Sequence, residues 1–273
     1  MATSAIAQHP STMGVRPLKS PGPKLKLIGG FDLHLGEEAV TVSESSQRLL
    51  VYLALGGPRG RRVIASYLWP DKAEERAGAN LRSALWRLPT QDAAGRCVEL
   101  VREDHCRLEL ADCVEVDARS IEQVGWSIIH GGETDSRSFG DFLIMGDLLP
   151  GWYDDWVLLE RERLGQLRLH FLETMAYRFL RKGAITEALD AALRLVAFDP
   201  LREGSQRVLL TLYCSEGSLG QAQRQLDAYR ALLHETFGCE PKLSIGRILR
   251  ELETGMSSPM PETGRVGRVG AHD

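Results

Sequence analysis

Four runs of sequence decide the fold: ESSQRLLVYLALGG (44–57), RRVIASYLWP (61–70), RAGANLRSALWRLP (76–89) and CVELVREDHCRLEL (97–110). The first begins near Ser45-Ser46, either of which can accept a bond from an orphan backbone N–H. It carries Leu49, Leu50 and Leu53 as a buried stripe and stops at Gly56-Gly57-Pro58. The second runs from about Arg61 to Leu68, with Ile64 and Leu68 inward, and ends at Pro70. The third spans about Arg76 to Leu88, where Leu81, Leu85 and Leu88 share one face at three- and four-residue spacing. Burying those leucines turns Arg82 and Trp86 outward, with Ser83 and Arg87 beside them. The fourth run alternates apolar and polar residues around Arg102-Glu103-Asp104, which predicts a hairpin of strands Cys97–Val101 and His105–Leu110. Three helices and a hairpin in that order describe a winged helix-turn-helix, whose last helix has the shape to enter a DNA major groove.

The residue types on the third helix suit that task. Arginine bonds guanine bidentately or holds a phosphate, serine bonds either, and tryptophan packs on a thymine methyl or a sugar. A plain surface helix could carry the same arginines merely solvated, and the hairpin is what favours DNA. In the wing, Arg102 is the residue expected to touch the minor groove or backbone. Glu103 and Asp104 read as a solvated turn whose charge repels phosphate, and His105 as a half-buried strand residue. The segment Asp71-Lys72-Ala73-Glu74-Glu75 is an acidic connector between the second and third helices.

Outward from this stretch the signals are plainer. Leu25, Leu27, Leu33, Leu35, Val40 and Val42 alternate at period two around Gly29-Gly30, as in a small antiparallel sheet with a bend. Residues 1–23 read as a flexible leader without the apolar core of a secretory signal. The tail from about Met256, with Arg265 and Arg268, reads as loose. Net charge is −4, and residues 24–115 hold 13 basic and 14 acidic side chains, so any attraction to DNA must come from local clustering. Five widely spaced cysteines without a C-x-x-C motif indicate reduced thiols rather than a zinc site or a disulfide framework. No apolar run approaches a membrane span, and no phosphate loop, metal-ligand cluster or nucleophile motif points to an enzyme or a cofactor.

The second half, residues 117–273, becomes nearly continuous helix after Pro150-Gly151. Asp117 reads as the N-cap of a helix reaching Gly125 or Trp126, before a loop from Gly131-Gly132 to Gly140. After Pro150-Gly151, Asp154-Asp155 cap a long helix, Trp152 and Trp156 serve as packing anchors, and Glu160-Arg161-Glu162-Arg163 forms a solvated, salt-bridged face. Gly183 recurs as Gly217 and Ala188 as Ala222, and Tyr177 falls opposite Thr211. That offset is the 34-residue period of tetratricopeptide repeats. Asp199-Pro200 ends one unit, and a helix from about Leu243 to Leu252 caps the stack. The fold class is therefore mainly α with small β elements: a winged helix-turn-helix over 24–116, then an all-α tetratricopeptide-like domain over 117–273.

Over Leu25–Glu253 the chain resembles the SARP regulators, the antibiotic regulatory proteins of actinomycetes. Leu68-Trp69-Pro70, Ala79-Asn80-Leu81-Arg82, Trp86-Arg87-Leu88 and Glu99-Leu100-Val101 carry the likeness to an OmpR-like winged helix. Gly151-Trp152, Trp156, Leu159-Glu160-Arg161-Glu162-Arg163-Leu164, Glu187-Ala188-Leu189, Asp199-Pro200-Leu201-Arg202-Glu203 and Phe237-Gly238-Cys239-Glu240-Pro241 carry the likeness to the bacterial transcriptional activator domain. The resemblance implies a cytoplasmic, nucleoid-associated activator of secondary-metabolite genes. It implies direct repeats in promoter DNA, read by two side-by-side protomers through Arg82, Ser83, Trp86 and Arg87, and recruitment of RNA polymerase holoenzyme. Asp71, Lys72, Glu74 and Glu75 would occupy the loop that touches polymerase. Departures are Pro89 after the third helix, the charged wing turn, and Gly60 where a Ser or Thr cap is usual. The chain shows no ATPase module, so no nucleotide dependence is expected. The rival reading is a tetratricopeptide-type adaptor that grips a partner protein without specific DNA binding.

Overall fold

The structure, a computed structural model, describes residues 22–133, 140 and 146–254. Most of the expected leader, the loose tail from 256 and most of the loop before Gly140 lie outside the described residues. The chain divides into two compact units, residues 1–26 with 31–116 and residues 27–30 with 117–273.

In the first unit β1 (Lys24–Lys26) and β2 (Asp32–Leu35) pair antiparallel with Leu25 opposite Leu33. The two-stranded rise is completed by β3 (Glu38–Ala39) on β2 and by β7 (Glu115–Val116) parallel to β1. Alternation puts Leu25, Leu33 and Leu35 into the core, as the period-two pattern requires. Helix α1 (Glu44–Gly56) starts ahead of the expected caps Ser45-Ser46: Ser43 is the N-cap and accepts from the Ser46 N–H. Leu49, Leu50 and Leu53 are buried, and so are Val51, Tyr52 and Ala54, so this helix is packed on more than one side. The short β4 (Arg59–Gly60) leads into α2 (Arg61–Leu68), which buries Ile64, Ala65 and Leu68. Helix α3 is Glu74–Trp86, so Glu74 and Glu75 form its first turn instead of the connector. Acidic residues there complement the helix dipole.

The wing is displaced from its expected register. Its strands are β5 (Val101–Asp104) and β6 (Arg107–Leu110), with β4 on the other edge of β6. The turn is His105-Cys106, both at positive φ (45° and 66°), so His105 is an exposed turn residue and not a half-buried strand residue. Arg102 and Glu103 sit within β5, where Arg102 opposes Glu109. Cys97 makes only an isolated bridge to Gln91.

The second unit begins with Leu27–Gly30, whose Leu27 and Ile28 N–H groups donate to the Asp117 carboxylate (2.9 and 3.1 Å). Helix α4 (Asp117–Ile129) runs past Gly125, because Gly125 and Ile128 are buried and continue its apolar stripe. The Arg178 guanidinium donates to the carbonyls of Ile128 and Gly132, which terminates that helix. The long α5 (Asp155–Arg181) follows, with Asp154 as an N-cap whose carboxylate makes no capping bond. Arg161, expected on a solvated face, instead donates to the carbonyls of Leu148 (2.8 Å), Leu149 (2.7 Å) and Trp152 (3.0 Å). Those bonds hold Leu149, fully buried, at a φ of 46°, which an ordinary side chain rarely adopts. Arg163 does sit in ion pairs, with Glu160 and Glu122.

Two helical hairpins then repeat. Helix α5 pairs with α6 (Ile185–Phe198), α7 (Glu203–Ser215) with α8 (Leu219–Phe237), and α9 (Ile245–Glu253) packs on α7. Gly183 and Gly217, 34 residues apart, both adopt φ 71° in the turn, and Ala188 and Ala222 are both fully buried where the paired helices meet. The repeat read from sequence is therefore a repeat of structure. The molecule is mostly helical with small strands: a winged helix-turn-helix and an all-α tetratricopeptide-like unit.

Candidate nucleic-acid interface

Helix α3 buries Ala77, Leu81 and Ala84, at spacings of four and three residues. Leu85 and Leu88 are only half-buried, which corrects the expected three-leucine stripe. The reason is close approach to α1. Ser46 is buried there, and its hydroxyl donates to the Ala84 carbonyl at 2.9 Å, leaving room only for small side chains at Ala77 and Ala84.

The opposite face carries Arg82, Ser83, Trp86 and Arg87, all exposed. Trp86 is 86% exposed, the most solvent-accessible large apolar side chain among the described residues. Among the described residues no ion pair or side-chain hydrogen bond engages Arg82 or Arg87. The structure thus brings four of the expected site residues onto one helix face.

Arg102 is not among them. Its Nη2 donates to Glu109 Oε1 (2.9 Å) of β6 and to Asp112 Oδ2 (2.8 Å) just past that strand, away from the turn. The Asp112 charge is the main reason that its guanidinium pKa is raised. Glu103, expected in the turn, leaves it for a pair with Arg61.

Two arginines that sequence reasoning passed over complete the surface. Arg61 and Arg62 open α2, behind an N-cap, Gly60, that offers no side-chain bond. The Arg61 N–H donates to the Cys106 carbonyl at 3.4 Å, which sets the wing turn against the start of α2. Arg61 Nε lies 3.4 Å from Glu103 Oε1, and Arg62 Nε lies 3.3 Å from Glu74 Oε1. Between α2 and α3 lies a cleft of about 510 Å³ whose rim includes Arg61, Arg62, Glu74, Glu75, Gly78 and Arg82. The visible signal was the basic cluster Arg59-Gly60-Arg61-Arg62, which runs into the first turn of α2. Two arginines at a helix start are of a type that phosphate attracts, but here each faces a glutamate and the Arg61 N–H is taken by the Cys106 carbonyl. Asp71 and Lys72 are exposed in the turn before α3, where the Lys72 N–H donates to the Trp69 carbonyl.

Residues 143–253 match the family model of the bacterial transcriptional activator domain. The regulatory protein AfsR of Streptomyces coelicolor is 26% identical over 219 residues, covering 76% of this chain and 22% of that protein. Residues 143–253 are therefore similar to an activator domain of bacterial transcriptional regulators, and the chain is similar to AfsR over most of its length. It spans less than a quarter of AfsR. Among solved structures, Mycobacterium tuberculosis EmbR in complex with a low-affinity phosphopeptide is similar with a TM-score of 0.65 at 15% identity. That likeness, over 85% of this chain and 65% of EmbR, is one of fold. Residues that carry the SARP resemblance have visible structural work: Arg161 holds three carbonyls, and Asp199 Oδ1 accepts the Arg202 N–H at 3.2 Å to turn the chain into α7.

Proposed function

We propose that this chain is a SARP-type, sequence-specific DNA-binding activator, cytoplasmic and nucleoid-associated, with a DNA-binding domain over 24–116 and an activator domain over 117–273. Helix α3 enters the major groove with Arg82, Ser83, Trp86 and Arg87 toward the bases, and Arg61 and Arg62 lie beside it, each paired with a glutamate. One observation carries the reading: the outer face of α3 presents two unpaired arginines and an 86% exposed tryptophan on a helix anchored from behind by Leu81 and the Ser46 bond. A side chain of that size gains by leaving water, and a groove is the surface that a helix of this shape fits. The resemblance to SARP regulators supports direct repeats bound by side-by-side protomers, recruitment of RNA polymerase and control of secondary-metabolite genes as parts of the same proposal. Asp71 and Lys72 are the part of the polymerase-facing segment left free for that contact, since Glu74 and Glu75 border the cleft. Fluorescence anisotropy of the full chain tests the reading, with labelled promoter duplexes neighbouring the gene and scrambled duplexes at two salt concentrations. A site-specific affinity that falls with salt is expected. Equal binding to both duplexes, or none, would favour the adaptor reading.

A further inference from the structure

The two arginines at the start of α2 are held differently from those on α3. Arg61 is paired with Glu103 of the wing through two long contacts, Nε–Oε1 at 3.4 Å and Nη1–Oε2 at 3.5 Å. Arg62 is paired with Glu74 from the first turn of α3 at 3.3 Å. Arg82, on the rim of the same cleft, and Arg87, at the C-cap of α3, have no carboxylate partner among the described residues. Both glutamates come from elements other than α2, so the pairing is a product of the tertiary fold and not of helical neighbours. Each carboxylate occupies guanidinium donors that could otherwise take a phosphate oxygen, and it would repel a phosphate brought close. Neither feature adds much to stability, because pairs this exposed contribute little.

We propose that Glu74 and Glu103 are guard residues that keep Arg62 and Arg61 from gripping the DNA backbone and so suppress binding to arbitrary duplex. Binding away from a target rests almost wholly on phosphate contacts. With these two arginines masked, recognition leans on the unpaired arginines of α3. The proposal rests on the reading of this face as the DNA surface. It also accounts for a DNA-facing half that has no excess of basic residues, with 13 against 14 acidic.

The test uses the full chain and a duplex of arbitrary sequence, titrated at several salt concentrations. Glu103→Gln and Glu74→Gln should each tighten binding by about 3- to 10-fold and steepen the salt slope by about one phosphate contact. Glu75→Gln removes the same charge one residue away but frees no arginine, so it should change affinity less than about 2-fold with the slope unmoved. In an Arg61→Ala background the gain from Glu103→Gln should vanish, because the arginine it releases is absent. A gain that persists without Arg61, an unchanged slope, or equal effects of Glu74→Gln and Glu75→Gln would overturn the guard role. A wild-type chain that binds no duplex at any salt overturns both this and the DNA reading. A chain that binds duplex without preferring a promoter site overturns specific reading alone and leaves the guard role standing.

Discussion

At the residue scale, the ridge on α3 separates folding from recognition. Trp86 touches so little of its own chain that Trp86→Ala should shift unfolding free energy by less than about 0.5 kcal/mol, the usual range for surface positions. It should nevertheless weaken promoter binding several-fold in the same preparation. A parallel loss of melting temperature would mean that the side chain supports the fold. Arg82→Ala and Arg87→Ala should each weaken specific binding by about 1–3 kcal/mol if the contact is to a base. A phosphate contact would instead weaken all sequences alike and lower the salt slope. These four residues were legible because helical periodicity alone sorts inside from outside. Arg61 and Arg62 were not, because only the fold brings the start of α2, the first turn of α3 and the wing to one cleft. Arg102 failed as a candidate for a similar reason: Asp112, ten residues along the chain, reaches back to it.

At the element scale, the helices were easier to read than the wing. Helix positions followed from leucine spacing, proline stops and glycine turns. The hairpin turn is His105-Cys106 at positive φ, and neither residue belongs to the Gly, Asn and Asp set that marks two-residue turns in sequence. The apparent polar turn at Arg102-Glu103-Asp104 is instead one exposed edge of a strand. The inward face of α3 was misjudged on size. Leucine spacing pointed to Leu85 and Leu88, but the approach of α1 selects Ala77 and Ala84. The repeat turns were fully legible, since Gly183 and Gly217 stand where a left-handed residue is needed. Gly217→Ala leaves no clash, because nothing lies near the added Cβ, yet it should destabilise by about 1–2 kcal/mol through backbone strain alone. Urea denaturation of the full chain measures this, and an unchanged midpoint would contradict the strained turn.

At the scale of the whole molecule, charge is arranged in pairs and not in a basic field. In the second unit Arg163 bridges Glu122 of α4 and Glu160 of α5, and the bond from Arg163 holds the Glu122 carboxyl below the ordinary glutamate range. A carboxylate depressed in this way stabilises the fold fully above its unfolded pKa, about 4.3. That contribution is lost as pH falls through the lower folded value. Glu122→Gln should therefore narrow the difference in stability between pH 6 and pH 3.5, and an unaltered pH profile would mean that the pair does not couple α4 to α5. The two-part organisation was visible from composition and period, whereas the pairing of charges across elements was not, since sequence records charges without their distances.

The central claim is that the outer face of α3 lies in the major groove, and methylation interference tests it most directly. Promoter duplex is methylated sparsely at guanine N7, which lies in the major groove, and at adenine N3, which lies in the minor groove, and is then fractionated by binding to the full chain. The account predicts that duplexes methylated at N7 of particular guanines in each repeat are missing from the bound fraction. Bound and free fractions with the same N7 pattern, or exclusion only at adenine N3, would contradict it.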